Sequence, residues 1–426
     1  MNLYLMTGGT GIPLQDNGAL RAARFVNSDL TRLELVLEGT PAAIGEAVQT
    51  LETALYTARA SAHLPAHPAC GLGVTLPDGQ TWCSPLRGGK LESLPHPAAR
   101  QVNRQMLMLE VEREPFWEQE GAPLTLINRH GAGTNATLYN HCDSAHDNFV
   151  DIPASQVQGS LSAPLEVTLS GALSGRSLVL LTAGTHDPAT PFPHVLEGEQ
   201  GVEGSGVSGA TLSASTASAG GYRRLTWSGA EEVTLKRYPL TAAQTAAARG
   251  RLYRLTARLH APLSETLLVW GEAGFEGSAG FEPLYAGESA VIPAGAQTLW
   301  LPPLRLPPWD VDTLSAGMTL TLKAQAETAG THTLDLDCLF LTPTEAEARL
   351  LPLMSLSALA LTYDPRTRGV KFSGAPLLTH TVEGQGVFLQ PGQTQRLYVL
   401  LERNGAMTIE DTFTLQARPF FRRRWL

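Results

Sequence analysis

A glycine-rich stretch near the amino terminus contains residue types that can bind a phosphate group. Leu3 to Met6 are apolar, and Thr7-Gly8-Gly9-Thr10-Gly11 follows them directly. In dinucleotide-binding domains such a loop opens a helix, whose free N–H groups hold the pyrophosphate. Here Pro13 removes one donor, and Asp16-Asn17-Gly18 is typical of a turn. The residues therefore favour a hairpin or a loop over a nucleotide site.

A second stretch contains metal-ligand residue types, His141-Cys142-Asp143 and His146-Asp147. Its two histidines are five residues apart, which fits neither a helical i,i+4 pair nor the spacing of a zinc finger. The stretch is interpreted as a polar linker, with metal binding as the alternative. No two cysteines form a Cys-x-x-Cys pair, so free thiols are favoured over a zinc ribbon or a disulfide framework. The four cysteines are Cys70, Cys83, Cys142 and Cys338.

The sequence contains no catalytic signature that we recognise. Gly204-Ser205-Gly206 and Gly175-Arg176-Ser177 lie in loose or strand-like context, whereas a nucleophile elbow needs a strand-to-helix turn. The pair Glu231-Glu232 does not specify a glycosidase, because only the separation of two carboxylates in space does so. We therefore predict no catalytic residues and a protein that is not an enzyme. A glycoside hydrolase or a nucleotide-binding enzyme remains the enzymatic alternative.

Composition limits the class of protein. A chain of 426 residues exceeds what one core usually covers, so two or three domains are expected. With 41 glycines, 29 prolines and many short alternating segments, β-structure joined by turns is favoured. The net charge of −9 gives no sign of a nucleic-acid-binding surface. No segment has the apolar length of a membrane span or a signal peptide, so a soluble protein made in the cytoplasm is expected.

One helix is predicted, at residues 41–62, because apolar residues recur there at intervals of three and four. Its stripe consists of Ile44, Ala47, Val48, Leu51, Leu55 and Ala58. Thr40 is expected to cap it, and Pro41 suits the first helical position. Strands are predicted around it at 30–39 and 104–114, together with a hairpin that turns at Pro77-Asp78-Gly79.

The remaining chain predicts further β-structure. Residues 140–159 are polar and are interpreted as a domain boundary, and strand patterns spaced by turns then predict a β-sandwich. In one of these strands Leu334, Leu336, Cys338 and Phe340 are expected to share a face. The predicted domains are 1–155, 156–345 and 346–426, the last packing on the other two. The fold class is mainly β: an N-terminal sandwich or barrel with one flanking helix, a jelly-roll or galectin-like sandwich, and a C-terminal β region.

The order of these elements resembles the distal tail proteins of long-tailed bacteriophages and prophage-like tails. The resemblance covers residues 1–165 best. Its most specific segments are Glu112-Arg113-Glu114-Pro115-Phe116-Trp117-Glu118 and Val150-Asp151-Ile152-Pro153, and DPRTRGVKFSG (364–374) and LQPGQTQRLYVL (389–400) are also similar to that family.

The resemblance implies a structural component of the virion, located at the tail tip or baseplate. Such proteins form a hexameric ring that joins the tail tube protein to the hub, the tape-measure protein and receptor-binding parts. A closed ring needs two different complementary surfaces on each subunit. The residues expected to make ring or partner contacts are Pro13, Phe116, Trp117, Arg422, Arg423, Arg424 and Trp425. Neither specific nucleic-acid binding nor membrane insertion is expected.

The alternative function is that of a carbohydrate-binding β-sandwich protein that attaches to cell-surface glycans. Glu197-Gly198-Glu199, followed by Ser218 to Tyr222, is similar to carbohydrate-binding modules in which an early Glu-x-Glu holds a structural calcium. This similarity implies Glu197 and Glu199 as calcium ligands, and no other cofactor is expected. Sugar recognition would need exposed aromatic rings, for which Tyr222, Trp227 and Trp270 are the candidates, with core packing as their alternative role.

Overall fold

The computed structural model describes residues 2–8, 10–26, 31–63, 70–94, 100–101, 103–140, 145–277, 280–306, 308, 317–408 and 411–425. Within these ranges the protein is mainly β, with antiparallel sheets and two α-helices, Pro41–His63 and Ala242–Ala248. The predicted fold class is therefore confirmed. No helix in the described ranges is long and apolar enough to cross a membrane.

The long helix Pro41–His63 forms where the sequence predicts it. The Thr40 hydroxyl accepts a hydrogen bond from the Ala43 N–H at 3.3 Å, which satisfies one of the free donors of the first turn. Ile44, Leu51 and Ala58 are buried on one stripe, while the opposite face is exposed. The helix thus buries its apolar face against the sheet strand Thr81–Ser93.

Contacts divide the chain into two compact units. Unit 1 comprises Met1–Gly121, Gln158–Ala163 and Phe420–Leu426, and unit 2 comprises Ala122–Val157 and Pro164–Pro419. The grouping is discontinuous because strands late in the chain pair with much earlier ones. The predicted three-domain boundaries stay a prediction.

Unit 1 contains two groups of strands joined through Thr81–Ser93, which pairs with Cys70–Thr75 in its first half and with Arg104–Arg113 in its second. The other strands of this unit are Asn2–Thr7, Thr10–Pro13, Leu20–Phe25, Arg32–Glu38, Arg100–Gln101 and Trp117–Glu120, with the last residues of Thr412–Arg423. The predicted hairpin is confirmed: Thr75 lies opposite Thr81, and Gly79 has a φ of 85°.

The opening glycine-rich stretch forms a β-hairpin. Thr7 lies opposite Thr10, and the chain continues as the strand Thr10–Pro13 where a nucleotide loop would start a helix. In the described chain this strand pairs on one side only. The Leu14 N–H donates to the Leu3 carbonyl at 2.9 Å, so by the two-residue alternation Gly11 and Pro13 face the free edge. Pro13 therefore leaves that edge without one of its donors.

Unit 2 contains two sheets that we call the carrier sheets. One consists of Leu126–Asn128, Gly131–Gly133, Phe149–Ile152, Val179–His186, Glu347–Pro352, His380–Gly384 and Gln395–Arg403. In this unit the other consists of Ala136–Tyr139, Ala163–Ser177, Leu356–Asp364, Gly369–Phe372, Ala375–Pro376, Phe388–Leu389 and the first part of Thr412–Arg423. Each carrier sheet thus contains strands that precede residue 187 in the sequence and strands that follow residue 346.

Between two paired carrier strands the chain builds a separate β-sandwich, which we call the inserted sandwich. It leaves after Val179–His186 and returns in Glu347–Pro352, where Gly184 lies opposite Glu347. One sheet consists of Val195–Glu197, Ser208–Ser213, Gly221–Ser228, Leu252–Leu259, Thr298–Trp300, Leu304–Arg305 and Thr331–Pro343. The other consists of Val233–Pro239, Leu267–Gly277, Gly280–Ala286, Ala290–Ile292 and Met318–Ala326. Leucine-rich inner faces of both sheets form one core.

Candidate functional site

Two carboxylates of the inserted sandwich, Glu197 and Asp337, lie close together, and with Glu199, whose charge acts on Glu197, we call them the acidic cluster. Oxygen atoms of Glu197 and Asp337 and the Cys338 sulfur lie within 4.8 Å of one another. Glu197 ends the strand Val195–Glu197, and Asp337 belongs to Thr331–Pro343, which pairs with it. The pairing of the first strand with the last one therefore brings together carboxylates that are far apart in sequence.

A β-bulge places Asp337. Arg258 lies opposite Cys338, whereas its neighbour Leu259 lies opposite Leu336, so Asp337 is the extra residue of its strand. A bulge changes which face the following side chains occupy. Leu336 accordingly packs in the core of the inserted sandwich, whereas Cys338 belongs to a separate apolar cluster. The expectation that Leu334, Leu336, Cys338 and Phe340 share one face is wrong for this reason.

A tight loop closes the acidic cluster. The Ser218 backbone N–H donates to Asp337 Oδ1 at 2.7 Å, and its hydroxyl donates to Glu197 Oε1 at 3.2 Å. In this loop Ala219 has a φ of 50°, a left-handed conformation that costs energy for a residue with a Cβ. A Cβ on Gly221 would lie 2.3 Å from Glu199 Oε1, so the absence of a side chain at this position leaves space for the Glu199 carboxylate.

The electrostatics of the cluster favour an additional positive charge. The pKa of Glu197 is raised to about 7, chiefly by burial and also by the Asp337 and Glu199 carboxylates, against the lowering effect of Ser218 and Arg258. Arg258 is buried, and its Nε donates to Asp337 Oδ2 at 2.5 Å. One oxygen of Glu197 and one of Glu199 are buried without a hydrogen-bond partner. Such orphaned oxygens are costly unless a ligand satisfies them.

The donor set fits a hard cation such as calcium. Calcium prefers oxygen ligands such as carboxylates, which this cluster offers. Burial raises the pKa of the Cys338 thiol well above its usual value, so the sulfur stays protonated and is a poor metal ligand. Glu197 and Asp337 bring their oxygens close enough together to share an ion, and Glu199 stays a predicted third ligand. The sequence indicated the two glutamates and the segment that begins at Ser218, but it missed Asp337 and Arg258. The role of the glutamates as ligands stays a prediction.

Beside the acidic cluster lies a partly enclosed cavity of about 290 Å³, which we call the junction cavity. Its walls come from the carrier sheets and from the inserted sandwich, and Glu197 belongs to both cavity and cluster. The lining residues are Asn148, Phe149, His186, His194, Val195, Glu197, Phe340, Leu341, Thr342, Arg396 and Tyr398. Sequence reasoning missed this site because its residues meet only through long-range strand pairing.

Two stacked imidazoles form part of the cavity wall. The rings of His186 and His194 lie 3.7 Å apart at an interplanar angle of 22°. Burial lowers the pKa of His186 to about 2 and that of His194 to about 4, so both rings are neutral at pH 7. His194 Nδ1 lies 3.0 Å from the Leu341 carbonyl, which fixes the proton on that nitrogen.

The aromatic residues expected to stack on sugars are largely buried. Tyr222, Trp227 and Trp270 have exposed fractions of 8%, 2% and 9%. Trp227 is part of the core of the inserted sandwich, and Tyr222 is stacked on His260 at 4.0 Å. The structure therefore corrects this expectation, because none of the three rings offers an open face to a sugar.

Of the expected contact residues, Trp117 is fully buried in unit 1, with the Arg113 guanidinium 4.9 Å from its ring centre. This corrects its expected role, since a buried ring is not a free surface. Phe116 is partly buried beneath Arg422, whose Nε donates to Glu118 at 2.8 Å.

The other expected contacts differ in exposure. Pro13 is partly exposed on its edge strand, and Arg423 is stacked on Trp82 at 3.7 Å. Arg424 and Trp425 are exposed, the latter to 68%. They are the members of the expected set whose side chains are open to a partner.

The sequence stretch with metal-ligand types is only partly described. His141, Cys142 and Asp143 lie outside the described residues. Asp147 accepts hydrogen bonds from the backbone N–H of Arg129 at 2.9 Å and from its Nε at 3.2 Å. This carboxylate is thus engaged in holding the adjacent turn, which agrees with a structural role.

Comparisons with known proteins identify no family: no family model and no curated protein matches the chain. Among solved structures, β-sandwich carbohydrate-binding modules match at 12% identity and a TM-score of 0.26, covering 52% of this chain and 98% of theirs. An exo-β-1,3-galactanase from Phanerochaete chrysosporium matches at 11% and 0.22, covering 79% and 87%. An infectious bursal disease virus structure matches at 9% and 0.19, covering 83% and 73%. At these TM-scores the similarities support no functional conclusion.

Proposed function

We propose that this protein is a structural component of a phage tail tip, of the distal tail type, that acts by assembly and not by catalysis. Unit 1 would form a hexameric ring on the tail tube protein and contact the hub and tape-measure proteins. The inserted sandwich would be displayed for attachment to the host. The protein would accordingly be found at the tail tip of the virion.

The observation that carries the proposal is the insertion itself. A complete sandwich with its own core is placed between two carrier strands that pair directly with each other. Such an insertion adds a surface to the carrier sheets without changing them. This is expected for a protein in which one part forms the assembly and the inserted part binds to the host.

Two of the segments that resemble distal tail proteins are neighbours in one carrier sheet, which supports the proposal. Val150 lies opposite Leu397, so the segments 150–153 and 389–400 are neighbouring strands. Asp151 and Arg396 join them through a two-pronged ion pair with distances of 2.8 and 3.0 Å. These two residues therefore join the two segments structurally.

The test is native mass spectrometry combined with negative-stain electron microscopy of the full chain. Sixfold rings with a central hole are expected. Trp425→Ser, which removes an exposed aromatic of unit 1, should reduce the ring population, whereas Tyr56→Ser, an equally exposed aromatic on the helix, serves as the matched control. A protein that stays monomeric at every concentration, alone and with isolated tail tubes, would contradict the proposal.

Glycan binding is the second candidate, and the junction cavity is the observation that favours it. The cavity combines aromatic walls with a few polar groups, which is how small-molecule sites are generally built. If this candidate function is correct, the inserted sandwich attaches the protein to cell-surface glycans.

A further inference from the structure

We propose that the junction cavity binds a neutral pyranose, with the apolar face of the sugar ring against its aromatic walls. This inference rests on the proposed recognition role of the inserted sandwich and specifies its ligand class. The site differs from the aromatic residues that the sequence suggested, because it uses rings contributed by both the carrier sheets and the inserted sandwich.

The walls of the cavity offer flat apolar surface. Phe149, Phe340 and Tyr398 contribute rings, and the stacked pair of His186 and His194 adds two more. A volume of about 290 Å³ lies near the lower end of the range for small-molecule pockets, which runs upward from roughly 300 Å³. The cavity therefore suits a single sugar ring better than a long chain.

The basic groups around the cavity are already paired or neutral, which selects against an anionic ligand. Arg396 is paired with Asp151 through both carboxylate oxygens, and its guanidinium is stacked on Phe149 at 3.6 Å. His186 and His194 are neutral at pH 7 because burial lowers the pKa of each. A phosphate or a carboxylate would lose its hydration here without gaining an unpaired cation.

Polar groups in the same wall select against a plain hydrocarbon ligand. Asn148, Glu197 and Arg396, which have polar side chains, all line the cavity. A hydrocarbon ring would remove water from these groups without replacing its hydrogen bonds, and that loss is unfavourable. The hydroxyl groups of a sugar can replace these hydrogen bonds. A hydroxylated ring with one apolar face can therefore contact both the aromatic and the polar parts of the wall.

The experiment uses the full chain and a panel of four neutral methyl hexopyranosides, one of them a 6-deoxy sugar. Methyl glucuronide and p-cresol serve as the charged and the hydrocarbon-like comparison. Saturation-transfer NMR detects binding, and calorimetry measures affinity. At least one neutral glycoside should bind tenfold or more tightly than either comparison compound. Binding of p-cresol in preference to every glycoside, or binding of no glycoside, overturns the proposal.

Variants locate the site. His194→Ala removes one ring of the stacked pair and should weaken glycoside binding at least tenfold. His260→Ala, which removes a stacked imidazole elsewhere in the inserted sandwich, should leave the affinity unchanged. If His194→Ala does not give a cooperative melting curve, Val195→Phe replaces it, since the larger side chain fills the cavity. Equal affinity of the cavity variant and the wild type overturns the proposal.

The outcomes separate this inference from the proposed assembly role. Rings that bind no glycoside would contradict the sugar site and leave the ring-forming function supported. A monomer that binds a glycoside in the cavity would support the site and contradict the ring. Glu199→Gln, which alters the acidic cluster but not the cavity wall, should change calcium binding and leave sugar affinity within twofold.

Discussion

The guanidinium of Arg258 joins the carboxylate of Asp337 to the framework that supports the inserted sandwich. Its Nε donates to Asp337 at 2.5 Å, and its Nη1 donates to the Asn140 carbonyl at 2.9 Å. The Asn140 side chain in turn bonds the backbone of Leu401 and Thr408. A continuous buried set of hydrogen bonds therefore links the acidic cluster with the carrier strand Gln395–Arg403.

Arg258→Met should destabilise the protein by about 3–5 kcal/mol, because it leaves Asp337 buried without its cation. Calcium should restore more stability in this variant than in the wild type, since the ion replaces the lost charge. Urea unfolding with calcium and with a chelator measures both effects. Arg251→Met is the control: in its ion pair with Glu345, at 3.8 Å, both side chains are about half exposed, and the pair should be worth at most about 1 kcal/mol. Equal losses in the two variants would argue against a special role for Arg258.

Calcium should stabilise the protein more at pH 8 than at pH 5.5. The folded pKa of Glu197 is raised from 4.5 to about 7, so without an ion stability falls as the pH rises through this range. Calcium needs the ionised carboxylate, and its contribution therefore increases over the same range. Melting temperatures with and without calcium at the two pH values test this. In Glu197→Gln the pH dependence of the calcium effect should disappear, and its persistence would rule out this group as the cause.

Replacing either of two glycines beside the acidic cluster with alanine should have different effects on stability and on calcium affinity. In Gly198→Ala the Cβ would lie 2.1 Å from the Leu336 backbone carbonyl, so a loss of about 3 kcal/mol or more is expected. In Gly221→Ala the Cβ meets only the end of the Glu199 side chain, which can turn away. We expect less than about 1 kcal/mol in stability but a tenfold weaker calcium affinity. Thermal unfolding and calcium titration of both variants distinguish the two cases, and an unchanged calcium affinity of Gly221→Ala would remove Glu199 from the ligand set.

The stacked histidines should make the protein sensitive to acid. Both histidines have a folded pKa below the usual 6.5, so as the pH falls below 6.5 the unfolded chain takes up protons that the folded protein does not. The free energy of unfolding is therefore highest above pH 6.5 and decreases as the pH falls toward 4. Each contributes a slope of up to about 1.4 kcal/mol per pH unit. His186→Phe should therefore flatten the loss measured by urea unfolding between pH 6.5 and 4.5. His130→Phe, at an exposed site, should retain the wild-type slope, and the same flattening there would point to another cause.

Local signals in the sequence predicted much of the local structure. Thr40, the apolar stripe of the long helix and the turn at Pro77-Asp78-Gly79 each act on their immediate neighbours, and all three are present. Placement of Asp337 depends instead on a bulge opposite Arg258, for which the strand pattern gives no sign.

The same limit applies to the junction cavity and to the insertion. His186 and Arg396 approach each other because Val179–His186 pairs with Gln395–Arg403, across the whole inserted sandwich. The glutamates of the Glu-x-Glu motif were visible as a local pattern, but Asp337, which lies close to Glu197, comes from the last strand of that sandwich. Long-range pairing, and not residue type, decides which of these side chains meet.

The position of Pro13 has a consequence for solubility during expression and storage. An edge strand whose backbone N–H groups are all free can pair with a strand of another molecule, and repeated pairing of this kind leads to aggregation. Pro13 interrupts the row of N–H groups on the short strand Thr10–Pro13, where Gly11 supplies the remaining outward N–H. Edge-to-edge pairing of copies through this strand is thereby discouraged.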